Sequence, residues 1–285
     1  MRALRVAVIG LGRLGQACAE ALLDADGLAL AGIVRRPASI GRLSGRLQRF
    51  PVAAHVRDLP ETDAALVCVP TEFVLAVARE LLQAKIPLVE CARLEGQALE
   101  AHHAALNDAA QLHRVAAVVG AGWDPGTLPL LRKTFEILIP RGQTEFTRHP
   151  GLRLHHTAAV EHIRGVKAAL AGEYHGEGGA LQRYVYLELG RDADSAQVEA
   201  AIKADPLFAG VATQVFPVEH LSELESNANQ GLVMERRGRA EEGAHQSLLL
   251  EARFDATSFA SRIMLDALRR LPALHHGAHR YTLGA

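Results

Sequence analysis

The chain has 285 residues, a mass of 30.6 kDa and a net charge of −1 from 31 basic and 32 acidic side chains. At about 100–200 residues per domain this length gives two domains, and 49% hydrophobic with 22% charged residues excludes wholesale disorder and fibrous repeats. The balanced charge offers no footprint for nucleic acid or an anionic membrane, and no apolar run reaches the roughly 20 residues of a membrane span.

The first arginines lead into a short apolar run that ends in a glycine loop, which is unlike a signal peptide. Three cysteines (Cys18, Cys68, Cys91) lie in apolar stretches without metal-ligand spacing, as expected of a soluble cytoplasmic protein with no disulfide framework. Arg5–Ile9 reads as a strand, Leu14–Leu23 as a helix and Leu28–Val34 as a second strand. Ala64–Val69 is a third strand, Phe73–Leu82 a helix, Pro87–Glu90 a fourth strand, Gln97–Ala110 a helix and Val115–Gly120 a fifth strand. Continuous apolar runs such as Ala65–Val69 predict strands covered on both faces, hence a doubly wound parallel sheet of βαβ units.

After Gly122-Trp123-Asp124-Pro125-Gly126 the pattern changes. Asp124 is placed to cap a helix with Pro125 in its first turn, continuing over Thr127–Ile139. Amphipathic strands follow at Gln182–Leu189, Val211–Val218, Leu232–Arg237 and Ala244–Phe254, read as one sheet with one buried face. Helices near Ala158–Ala171 and Ser195–Lys203 would pack on it, and Ser258–Leu271 is a closing helix. The expected organisation is a dinucleotide-binding Rossmann domain over 1–122, completed by 255–285. An inserted α/β substrate and dimerisation domain spans 123–254.

Gly10-Leu11-Gly12-Arg13-Leu14-Gly15 lies between the first strand and the first helix. Gly10 permits the tight turn, Gly12 the approach of a pyrophosphate, and Gly15 close helix–strand packing, with the helix N-terminus directed at phosphate. An NAD site offers Asp or Glu about 20 residues beyond the last glycine. Arg35-Arg36 stands there instead, and paired guanidiniums suit the 2′-phosphate of NADP.

Ligands of such sheets sit beyond the carboxyl ends of the strands. Those ends carry Pro70-Thr71-Glu72, Glu90-Cys91-Ala92-Arg93 and Gly122-Trp123-Asp124-Pro125. Glu90 and Asp124 thus project carboxylates toward one crevice, where an ammonium or its proton could be held. The plain alternatives are a helix cap for Asp124 and a surface residue for Glu90. In the second domain His155, His156, Arg183 and His245 are candidates, and an arginine would suit a substrate carboxylate. The histidines at 275, 276 and 279 have no carboxylate or thiol spaced to complete a metal site, so none is expected.

Val6–Gly15, Arg35-Arg36 and above all Gly122–Gly126 resemble the NADP-dependent meso-diaminopimelate dehydrogenases. The similarity runs on through His149–Leu152, Ile163–Lys167, Gln182-Arg183 and Gly243–His245. The resemblance implies a homodimer of two-domain subunits, with an amino-acid substrate oxidatively deaminated at a D-configured carbon. It also implies catalysis by Asp124, Glu90 and Trp123, with Glu90 where the family has Asp. Arg183, His245 and His156 would bind the substrate. Gly10, Gly12, Arg13, Leu14, Gly15, Arg35, Arg36, Pro70 and Thr71 would bind NADP.

Three stretches depart from that family. Arg93-Leu94-Glu95 replaces an Asp followed by Asn-His, Leu154–Ala158 replaces a Gln-Gly-His-Ser-Asp segment, and Asn227–Gly231 replaces a His-containing Gly-rich stretch. Sugar dehydrogenases of similar architecture carry Glu-Lys-Pro where this chain has Glu90-Cys91-Ala92, which argues against hydroxyl oxidation. The alternatives are a dehydrogenase for another amine or amino acid, and a non-catalytic NADP-binding regulatory protein.

Overall fold

The computed structural model describes residues 2–41, 43–150, 155–175, 180–191, 193–221, 229–238 and 246–283. In chain order the elements are β1 (Leu4–Ile9), α1 (Arg13–Leu22), β2 (Leu28–Val34), β3 (Val52–Ala53), β4 (Ala64–Val67) and α2 (Thr71–Gln83). Next come β5 (Leu88–Glu90), α3 (Gly96–His113), β6 (Ala116–Val119), α4 (Leu128–Leu138), β7 (Gly142–Pro150), α5 (His155–Glu161) and β8 (Val166–His175). The chain continues through β9 (Leu181–Leu189), α6 (Ser195–Ala204), β10 (Ala212–Pro217), β11 (Asn229–Gly238), β12 (Ser247–Asp255), α7 (Ala256–Arg270) and β13 (Gly277–Arg280). It divides into two compact units, Met1–Thr134 with Thr257–Ala285, and Phe135–Ala256.

The first unit is built on a seven-stranded sheet in the order β13-β6-β5-β4-β1-β2-β3. Every pairing in it is parallel. Successive side chains of a strand face opposite ways, and here both faces are apolar. Val6 and Val8 join Ile33, Leu66, Val89 and Val118 in one layer, covered by Cys18 and Leu22 of α1 and by Met264 and Leu268 of α7. Ala7 and Ile9 join Val34, Ala65, Val67 and Val119 in the other, covered by Val74, Leu81 and Leu82 of α2 and Leu106 of α3. Each such aliphatic side chain removed from water contributes about 1.5–3 kcal/mol before entropy is counted. The expected doubly wound α/β architecture is therefore present. β1 lies between β4 and β2, so the strand order reverses there and opens a ligand crevice at its carboxyl end.

Among its described residues the second unit holds two three-stranded sheets, β10-β9-β8 and β12-β11-β7, rather than the single sheet the sequence predicts. In the first, β8 is antiparallel and β10 parallel to β9. Val185 and Leu187 of β9 and Ala169 and Ala171 of β8 pack against Val160 of α5, Val198 and Ile202 of α6, and Phe208. The helix expected over Ala158–Ala171 is instead α5 followed by the start of β8. Gly165, at φ +99°, ends that segment in a conformation closed to most side chains. The alanine-rich run beyond it then pairs with β9 along its length, so tertiary pairing overrides its helical propensity. The sequence does not mark β3, β7 or β13; the last follows His275-His276, includes His279 and pairs with β6.

Candidate active site

The glycine loop has the close contacts that a dinucleotide cradle requires. Gly10 sits at φ +91°, and a Cβ there would come within 2.7 Å of the Cys68 carbonyl oxygen. A Cβ on Gly15 would lie 2.0 Å from the Gly10 carbonyl oxygen, so only glycine lets α1 pack this tightly on β1. Beside Gly12, in contrast, there is nothing within 4 Å of where a Cβ would be. Gly12 is also the N-cap of α1 and offers no side chain to its free N–H groups. An open, uncapped, positive helix end behind a tight glycine turn suits a pyrophosphate. Arg13 is exposed at the first turn, whereas Leu14 is half-buried against the core and contributes main chain only.

Arg35 is half-buried and Arg36 exposed at the carboxyl end of β2. Their backbone is set by a bond from the Arg35 N–H to the Ala53 carbonyl at 3.0 Å. Pro70 is exposed at the start of α2, and the Thr71 hydroxyl accepts from the Arg93 N–H at 3.3 Å. These residues form a polar rim along the carboxyl ends of β2, β4 and β5. Together with the cradle they fit a dinucleotide carrying an extra phosphate near the Arg35-Arg36 pair.

The carboxyl end of β6 runs into a π-helical turn, Trp123–Thr127, that precedes α4. Glycines shape it. Gly120 lies at φ +71°, and a Cβ on Gly126 would meet the Gly120 carbonyl oxygen at 2.4 Å. The expected cap by Asp124 is not there: Gly122 is the N-cap residue, and Asp124 sits within the first turn. Asp124 is half-buried there, inside the turn rather than at its cap. Trp123 packs edge-on against Phe259 of α7, with ring centroids 5.3 Å apart. Sequence reasoning missed Phe259, because its contact spans the chain and its position in α7 looks like any apolar helix residue.

Glu90 departs from expectation. It is 0% exposed, and its Oε1 accepts from the Gly120 N–H at 2.9 Å while Oε2 accepts from the Ala92 N–H. The neighbouring Cys91 thiol is pushed up to about 12, by burial first and then by the Glu90 charge, so it stays protonated at neutral pH. Cys68 lies 3.9 Å from Cys18 in sulfur–sulfur distance. Its hydrogen bond with Cys18, followed by burial, raises it well above the usual thiol range. These thiols behave as buried hydrophobes rather than nucleophiles.

In the second unit, Arg183 shares a face of β9 with buried Val185 and Leu187, so it points into that unit's own core. It is 4% exposed, donates to the Leu207 carbonyl, and lies 5.0 Å over the Phe208 ring. His156 meets the same ring edge-on at 5.6 Å. The two are thus brought to one aromatic side chain, while His245 lies outside the described residues. No group of three or more metal-ligating side chains occurs among the described residues, and no helix there is long and apolar enough to cross a membrane.

Comparison with known proteins adds the lineage. Residues 1–92 match the family described as CoA binding domain. The fold is shared with the C. glutamicum DAP dehydrogenase in complex with DAP, at 21% identity and a TM-score of 0.62, covering 98% of this chain and 93% of that one. An engineered D-amino acid dehydrogenase bound to NADP+ superposes with a TM-score of 0.60 at 20% identity, over 98% of this chain and 93% of that one. The meso-diaminopimelate D-dehydrogenase of Acetivibrio thermocellus is 25% identical over 83% of this chain and 77% of its own. That of Bacteroides fragilis is 32% identical over 84% of this chain and 79% of its own. With that identity over most of both chains, and with the glycine cradle and the Trp123-Asp124 turn in place, the chain belongs to the meso-diaminopimelate dehydrogenase family.

Proposed function

We propose that this protein catalyses the reversible, NADP-dependent oxidative deamination of an amino acid at a D-configured carbon. Its substrate is meso-2,6-diaminopimelate or a related diamino acid. The substrate carbon gives up a hydride and its nitrogen a proton, water adds to the imine so formed, and a 2-oxo acid and ammonia leave. NADP, when bound, supplies the two-electron acceptor. The protein supplies orientation and proton handling. Asp124 holds the substrate ammonium and later helps water attack the imine as a general base. Trp123, braced by Phe259, shapes the surface beside it.

The observation that carries this reading is the placement of Asp124. The residue is half-buried, stands in the first turn rather than at the N-cap position, and follows β6 at the same edge of the sheet as the glycine cradle. β6 and β1 are three strand spacings apart, or roughly 14 Å at about 4.8 Å each, which an extended dinucleotide can span. Arg183 and His245 remain the cationic partners for a distal carboxylate, on charge type and family resemblance. The core-facing position of Arg183 favours a second reading, a dehydrogenase for an amine or amino acid without that carboxylate.

The homodimer belongs to the same proposal. The outer face of the β10-β9-β8 sheet carries half-buried Tyr184 and Tyr186, and Phe216 at 36% exposure, with Tyr186 stacked on Phe216 at 5.3 Å. An aromatic patch of this kind suits a second copy.

NADPH absorbance followed with a panel of 2-oxo acids plus ammonia, and NADP reduction with meso-diaminopimelate and D-amino acids, test the function. Turnover with the meso compound is expected. Turnover with simple D-amino acids alone would favour the second reading. Tight NADPH binding without turnover of any of them would make this a cofactor-binding regulatory protein.

A further inference from the structure

Glu90 has no exposed atom, yet it stands at the carboxyl end of β5 between β4, which leads into Thr71, and β6, which leads into Asp124. Its side chain accepts main-chain N–H groups from both sides of this point: Ala92, two residues on, and Gly120, at the end of the neighbouring strand. Its own carbonyl accepts a third, from Ala121, at 2.8 Å. From α3, buried His102 brings Nε2 to 3.5 Å from the same Oε1 that Gly120 bonds. Gly120 is the residue whose carbonyl oxygen a Cβ on Gly126 would meet at 2.4 Å, and it precedes the turn that carries Trp123 and Asp124.

A carboxylate buried this completely does not touch a substrate. Its bonds instead fix where two strand ends stop, through charge-assisted contacts that are shorter and stronger than neutral ones. We infer that Glu90, with His102 beside it, is a positioning residue that sets the Gly120–Asp124 turn and so aims the Asp124 carboxylate. Resting on the catalytic reading of Asp124, this assigns the two carboxylates of the strand ends to different tasks: one handles the proton, the other holds the backbone that delivers it. Displacement of a catalytic group by about 1 Å can cost about 10²-fold in rate, which is how such a residue acts without contact.

The test uses the full-length enzyme with NADP and its substrate. Glu90→Gln keeps the side-chain size, but turns an NH2 group toward one of the two N–H donors, so one strand end is released. The expected result is a kcat lowered about 10- to 100-fold by the same factor across the pH profile. KM should stay nearly unchanged, and hydrogen exchange at the Gly120 or Ala92 amide should be faster. If the variant instead lost one limb of the pH profile with exchange unaltered, Glu90 would carry the proton itself and the inference would be overturned. An unchanged kcat would overturn it as well.

If Glu90→Gln does not fold, His102 carries the test. His102→Phe should lower kcat with KM kept, and His102→Gln, which restores a polar end, should recover most of the loss. Equal activity in both His102 variants and the wild type would refute the pairing. Asp124→Asn in parallel separates the two levels. Near-wild-type turnover there removes the catalytic reading, whereas the exchange readout at Gly120 and Ala92 still decides what Glu90 does.

Discussion

The two units solve the same packing problem in opposite ways. In the first, both faces of one sheet are apolar, so helices cover both and the strands read as unbroken apolar runs. In the second, the helices lie on one face of the β10-β9-β8 sheet, and Tyr184, Tyr186 and Phe216 remain half-exposed on the other. The difference bears on where each unit can take a ligand or a partner. A sheet buried on both faces can offer ligands only its strand ends, and that is where the glycine cradle, Thr71, Glu90 and Asp124 gather. A sheet with an open face can offer that face to a partner.

Substitutions should therefore separate the units, and the largest effect should come from the cradle. A side chain at Gly15 would be driven into the Gly10 carbonyl at 2.0 Å, and backbone cannot swing aside as a flexible side chain can. Gly15→Val is expected to abolish measurable NADPH binding by titration. Binding within tenfold of wild type would show that the loop is not the cofactor site. Asp124→Asn comes next. With the fold kept, as checked by its melting curve, turnover should fall about 10²–10⁴-fold, the usual worth of general acid–base help. That equals roughly 3–5 kcal/mol of transition-state stabilisation.

The second unit should respond in stability instead. Leu187 is 1% exposed beneath α5 and α6, so Leu187→Ala should cost about 2–5 kcal/mol in denaturant unfolding. NADPH affinity should be unchanged, because the residues proposed to hold the cofactor all lie in the other unit. An equal loss of affinity would mean that the units are not separable in this sense. Smaller again is the cofactor preference. Replacing Arg35 and Arg36 together by Ala should weaken NADPH about 10- to 100-fold, the worth of one or two charge-assisted contacts, and leave NADH alone. Parallel losses for both cofactors would refute the 2′-phosphate assignment.

The same contrast explains what was legible in the sequence. The parallel sheet could be read because continuous apolar runs such as Ala65–Val69 and the glycine loop are local signals. The proposal for the dinucleotide half of the site rests on them. β8 could not be read, since Ala168–Ala171 favours helix locally and becomes strand only through pairing with β9. Nor could Glu90's burial: a glutamate ending a strand looks like a site residue whether it faces the crevice or the backbone of Gly120. Arg183 is buried, which is equally hidden from the sequence. It is an arginine on an amphipathic strand, and only the packing of Phe208 shows which side of the strand it takes. Phe259 reaches Trp123 from the far end of the chain and His102 reaches Glu90 from the next helix, and no local pattern marks such contacts.

The smallest effect should come from the C-terminal segment that closes the first unit behind the Trp123–Thr127 turn. Tyr281 is 7% exposed, and its ring lies 3.2 Å from where a Cβ on Gly126 would be. Its N–H bonds the Val119 carbonyl at 3.0 Å, and its hydroxyl donates to Asp266 at 2.8 Å. Burial, and then that bond to Asp266, push the phenol up to about 12. In the unfolded chain it titrates near 10. Below about 10 both states keep the proton and stability does not depend on it. Between about 10 and 12 the unfolded chain has released its proton while the folded one still holds it, so stability falls as pH rises through this window and levels off above it. Tyr281→Phe should therefore be somewhat less stable at neutral pH, having lost one hydrogen bond. Its urea midpoint should decline less than that of the wild type from about pH 9.5 upward. NADPH affinity should not change, since the phenol bonds Asp266 and no residue of the cradle. Parallel decline of the two proteins over that range would show that the Tyr281 proton is not linked to folding.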